Sequence, residues 1–158
     1  MEQDVPFETV TKLEAAERQL RVAIRMFFER RDMIAVHALA VAAQEVLRRI
    51  AKPRGIKGMY EYAEEWAVPE RKKELLNHFG EAQNFFKHAG KDPDAKLKFY
   101  YGATEFYLFD TVHLFGLLTG RHSRETATFL GWFLAKHPYL FNVDGIPELQ
   151  RFKDLATT

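Results

Sequence analysis

Apolar side chains return every three or four residues along most of this chain, and the alternation of a half-buried strand is essentially missing, so helices are predicted nearly throughout. Thr11-Lys-Leu-Glu14 has the spacing of a capping box, and Val10, Leu13, Leu20, Ile24 and Phe27 follow at roughly helical intervals, which predicts a first helix to about Glu29. Asp32 is placed to cap a second helix, MIAVHALAVAAQEVLRRIAK, that Pro53 and Gly55 bring to a stop. On that helix Val36, Leu39, Ala43, Val46, Leu47 and Ile50 make one stripe, with His37, Val41, Gln44 and Arg48 on the far side. Residues 33–43 are apolar almost all round, so this half of the helix should be central and His37 buried.

The linker PRGIKG is basic and turn-rich, and residues 59–67 can form a short helix carrying tyrosines and a tryptophan. Pro69 suits the first position of a helix predicted to continue to Gly90. Its core stripe is Leu75, Phe79, Ala82, Phe86 and Ala89, and Asn77, Glu81, Asn84 and His88 form a polar row on the other face. On an ordinary amphipathic helix such a row is solvated. Lys91-Asp-Pro-Asp94 reads as a turn, and LKFYY at 97–101 as non-helical. Residues 103–119 are apolar all round the wheel, predicting the most buried helix; Gly120 ends it. Ser123 can cap the following helix, which Pro138 terminates, and Pro147 opens a last short one. The expectation is an all-α, single-domain bundle over residues 1–158, with an ordered core at about 9–155 and about six helices, four of them long.

Composition narrows the chemistry. Cysteine is absent, which rules out a disulfide framework and any thiolate zinc site, so a bound metal would need His, Asp and Glu ligands. With 23 basic and 22 acidic residues there is no global field to attract a polyanion, although a local patch remains open. The start, MEQDVPFETV, lacks the apolar segment of a signal peptide, and the most apolar run, 106–118, is interrupted by Asp110 and His113 and too short to span a bilayer. A soluble, cytoplasmic protein without a membrane partner is expected. The 14 phenylalanines sit at helical spacing with no interleaved basic stripe, which reads as core filling rather than a base-stacking platform.

The densest polar stretch is EAQNFFKHAGKDPD, 81–94. Within it Gln83-Asn84-x-x-x-His88 resembles the motif of the HEPN superfamily: Arg, a polar residue often Asn, three variable residues, then His. Gln83 stands where the family has Arg. The resemblance implies a helical bundle that dimerises around a cleft, with Asn84 and His88 in the catalytic positions and Gln83, Lys87, Glu81 and His37 as the substrate-binding set. It also implies an RNA-linked or toxin–antitoxin setting, with RNA or protein as partner. In that family the imidazole moves a proton and the guanidinium stabilises charge building on phosphate. Gln83 cannot supply that charge, so the implied role is a binding or accessory module without catalysis. The phrases VHALAVAA and NFFKHAGKDPD also look like a group of bacterial helical proteins, a likeness that implies no activity.

Asp110-x-x-His113 supports an alternative. Residues three apart share a helical face, so this pair could form a buried hydrogen-bonded couple or join His37 and His88 around a metal, giving an enzyme or sensor. Inside a helix that is apolar all round, Asp110 must find a partner, and His37, Gln44, Arg48 and His88 are the candidates. The Glu-x-x-His pairs of carboxylate-bridged di-iron bundles are missing, and no cofactor is indicated. His78, His122 and His137 read as surface residues, and a protein-interaction module with no site at all is the third possibility.

Overall fold

The computed structural model describes residues 5–138. Among the described residues six α-helices follow one another: α1 (Lys12–Phe28), α2 (Met33–Ala51), α3 (Met59–Trp66), α4 (Lys72–Lys87), α5 (Tyr101–Thr119) and α6 (Arg124–Lys136). The described residues contain no strand, and the protein is all-α. The helix predicted from Pro147 lies outside the described residues.

Local chemistry fixes most boundaries. Thr11 Oγ1 accepts from the Glu14 N–H at 3.1 Å while Glu14 accepts from the Thr11 N–H at 2.7 Å, completing the capping box of α1. Asp32 Oδ1 takes the N–H groups of Ile34 and Ala35 at 2.9 and 3.1 Å to start α2. Ser123 caps α6 through the Thr126 N–H, and Gly120 closes α5 in the left-handed conformation at φ 67°.

α1 lies along α2, α2 along α5, and α6 closes against α1 and α5, while α3 and α4 pair with each other and α4 reaches back to α2. The interior of the four-helix unit is built from Leu20, Ile24, Val36, Leu47, Leu108, Leu114, Phe115, Phe129 and Phe133, all essentially sealed from water. Ala16, Ala23, Ala40 and Ala43 are sealed too, so small side chains accompany the close approach of α1, α2 and α5. Both faces of α2 are buried: on the far side His37, Val41 and Gln44 are covered, while of the predicted stripe Val36, Ala43 and Leu47 are buried and Leu39, Val46 and Ile50 only half-buried. The helix predicted as the most buried, α5, has the same number of buried positions as α2, and it leaves Tyr101, His113 and Leu117 exposed.

Three boundaries differ from the periodicity. Residues 69–71 form a 3₁₀ turn, so α4 begins at Lys72. It also stops short of Gly90, because His88 leaves the helix at φ −125°, ψ 117° and acts as its C-cap, with its N–H still bonded to Asn84 O at 3.0 Å. Pro93 bars a helical continuation just beyond. Of the stretch predicted as non-helical, 97–100 are so, but Tyr101 already belongs to α5, which begins two residues before the predicted start at 103.

Candidate functional site

Asp110 is the polar keystone of the interior. Its carboxylate is fully buried, and it accepts the Gln44 amide at 2.7 Å and the Met59 N–H at 2.8 Å. Met59 is the first residue of α3, so a carboxylate takes one orphan amide at the positive end of that helix. Gly58 makes the approach possible: a Cβ there would stand 2.8 Å from Asp110 Oδ1. Burial raises the Asp110 pKa, against the opposing pull of the Met59 and Gln44 hydrogen bonds. Gln44 was one of four candidate partners, and it is the one used.

The expected Asp110–His113 couple does not form. His113 is exposed and lies parallel over Phe109, ring centroids 6.2 Å apart, while Asp110 turns inward to α2 and α3. Three positions along a helix amount to about 300°, and this 60° offset is enough to put one residue inside and the other at the rim. Although the residue as a whole is exposed, enough protein surrounds its ring to lower the pKa by desolvation, with the Asp110 charge opposing.

His37 is buried, as expected, but it joins neither the Asp110 cluster nor α4's polar row. Its Nδ1 pairs with Thr104 Oγ1 at 2.9 Å, while the rings of Phe86, Phe99 and Tyr107 surround it edge-on. Nε2 is buried without a hydrogen-bond partner. Desolvation pushes the His37 pKa down to about 4, so the ring is neutral at pH 7. It is therefore a core residue and does not line the substrate-binding groove implied for it. The four residues His37, His88, Asp110 and His113 do not converge: among the described residues no three His, Cys, Asp or Glu side chains are grouped as metal ligands. His122 and His137 are half-buried rather than surface residues, packed respectively against Gly116 and against Phe106 and Phe133.

What does converge is the end of α4 with the end of α2. Gln83, Asn84, Lys87 and His88 face Gln44, Glu45, Arg48, Arg49 and Lys52 across a groove of about 490 Å³. Glu45 ties the two helices together, taking Arg49 and Gln83 at 3.3 Å and lying 3.7 Å from the Lys87 ammonium. Burial would raise the Glu45 pKa, but these hydrogen bonds and charges outweigh it and hold the carboxyl below its usual range. Arg48 pairs with Glu61 at 2.7 Å and lies 3.7 Å above the Tyr60 ring, so α3 forms the far wall. Four permanent cations thus face two carboxylates, each engaged by at least one of those cations.

The remaining polar row lies on the other flank of α4. Asn77 and Glu81 line an open groove of about 940 Å³ with Arg71, Glu74 and Val68, and Asn84 stands on the crest between the two grooves. Asn84 and His88 are both exposed. The periodicity of α4 could not reveal Arg48, Arg49 and Lys52 as their companions, since these lie about 35 positions earlier; the signal present was the four-residue step Gln44, Arg48, Lys52 at the polar end of α2.

No described helix is long and apolar enough to cross a membrane. Comparison with protein-family models, with curated proteins and with solved structures finds no match to this chain.

Proposed function

We propose that the chain is a HEPN-like accessory module that binds the phosphodiester backbone of RNA in the α2–α4 groove without cleaving it. The observation that carries this reading is the convergence of Arg49 and Lys52 with Lys87, His88 and the amide of Asn84 around one groove. Exposed cations and amides of this kind contact phosphate oxygens and read little sequence. Against cleavage, Gln83 stands at the family's Arg position and spends its amide on Glu45. Arg48, the guanidinium nearest in kind, is engaged by Glu61 and Tyr60. His88 is exposed at a helix terminus rather than seated against an orienting carboxylate.

Fluorescence anisotropy with a short single-stranded RNA across a salt series tests the reading. Three phosphate contacts give a slope of log K against log salt of about −2 for a single strand. Lys52→Glu and Lys87→Glu should each weaken binding of all sequences alike. Failure to bind at low salt, or binding indifferent to both charge reversals, overturns it.

The homodimer implied by the same resemblance would bury the outer flank of α4, where Asn77 and Glu81 line the open groove with Val68 at 57% exposure and where Phe85 is 39% exposed. A two-fold axis there would set each patch against its own copy. Light scattering checks this: a dimer that Phe85→Glu disperses is expected, and a monomeric wild type removes the proposal.

A further inference from the structure

Behind the basic groove lies a second cavity, of about 350 Å³, lined by Gln44, Met59, Tyr60, Phe79, Phe106 and Tyr107, with Ala103 at its edge. Its volume falls at the lower end of the range of small-ligand sites, about 300–1,000 Å³. The two cavities share Gln44, and Arg48, which lines the groove, stacks its guanidinium on the ring of Tyr60, which lines the cavity. The lining is aromatic on α3, α4 and α5, and its residues with polar side-chain groups are Tyr60, Tyr107 and Gln44, the last already donating to Asp110. Burial pushes the Tyr107 phenol up to about 12, so it remains protonated as a donor.

Resting on the reading of the groove as a phosphodiester site, we infer that this cavity takes one unstacked nucleobase of the bound RNA, its phosphates held outside by Lys52 and Lys87. A flat π-system between aromatic walls gains stacking contact, and base edges present the acceptors that Tyr60 and Tyr107 can serve. An aliphatic ligand would leave these hydroxyls without acceptors, and an anion would sit in the apolar cavity instead of beside the cations. The adjoining positive charge therefore selects a ligand that is aromatic at one end and anionic at the other.

The experiment compares a short single-stranded RNA with an abasic phosphodiester of equal length and charge, each titrated against wild type, Ala103→Trp and Phe79→Leu, with thermal melts to establish folding. Ala103 is exposed on the first turn of α5, so a tryptophan there can fill the cavity without entering the core. RNA should bind wild type on the order of tenfold or more tighter than the abasic strand, the scale of one lost base stack. Ala103→Trp should abolish that difference and leave abasic binding unchanged, and Phe79→Leu should narrow it. Equal affinity of RNA and abasic strand for wild type overturns the base pocket while leaving the phosphate groove intact. So does an RNA preference that survives both folded variants. Failure of both strands to bind overturns the groove, and the pocket with it.

Discussion

Removing the Asp110 carboxylate should detach α3, and with it one wall of both cavities. In Asp110→Ala the Met59 N–H and the Gln44 amide lose acceptors at 2.8 and 2.7 Å inside a sealed interior. Hydrogen bonds to a charged group contribute about 1.5–3 kcal/mol each, and the cost of burying the carboxylate, visible in its raised pKa, offsets part of the sum. The expected loss is about 2–4 kcal/mol. Asp110→Asn should cost about 1 kcal/mol or less, because its oxygen can accept from Met59 and its amide can donate to a flipped Gln44. The pH dependence has a definite sign. A carboxyl whose folded pKa is raised contributes stability that is fully present below its unfolded pKa and lost as pH rises through the folded value. Lowering the pH from neutral should therefore favour wild type relative to Asp110→Asn, with every other titrating group common to both proteins. Gly58→Ala adds an independent check, since its Cβ meets Oδ1 at 2.8 Å and Leu114 Cδ1 at 3.1 Å: it should destabilise wild type by about 1–3 kcal/mol and Asp110→Ala by less. Urea unfolding across pH 4–7.5 measures all of these. Equal costs for Asp110→Ala and Asp110→Asn, or an additive Gly58→Ala/Asp110→Ala pair, would refute the keystone.

Two further outcomes follow from other buried contacts. His37, with its pKa lowered from 6.5 to about 4 by burial, leaves the unfolded chain binding the extra proton between those values, so stability should fall as pH drops through that window. At about 1.4 kcal/mol per tenfold in proton affinity the full effect is roughly 3 kcal/mol; a His37→Leu variant with an undiminished acid slope would refute it. Gln83→Arg should yield no RNA cleavage in a gel assay although it would complete the HEPN motif that 83–88 resembles, because Glu45, now 3.3 Å from the Gln83 amide, would capture the guanidinium as an ion pair. His88-dependent cleavage by this single variant would refute both that capture and the non-catalytic reading.

Which parts of this molecule are local and which are collective divides the legible from the illegible. The capping chemistry of Thr11, Asp32 and Ser123, the stops at Gly120 and Pro138, the apolar periodicity of α1 and α2 and the all-round apolar surface of α5 act within a few residues of themselves, so the all-α class and most boundaries were written in the sequence. His37 was legibly buried for the same reason: its neighbours on the helix are apolar all round.

The partners of buried polar groups belong to tertiary structure alone. Asp110 needed an acceptor's partner from somewhere, but four candidates met the requirement on paper, and packing of α2 and α3 chose Gln44 together with a backbone amide that no side-chain pattern announces. The same packing separated His37, His88, Asp110 and His113, since sequence fixes each residue's angle around its own helix and says nothing of how helices are turned toward one another. It also placed Arg48, Arg49 and Lys52 opposite Lys87 and His88, through the meeting of two helix ends separated by three dozen residues of chain. Charge balance near zero concealed that groove, because composition sums over the whole surface while a binding site depends on which few side chains the fold gathers.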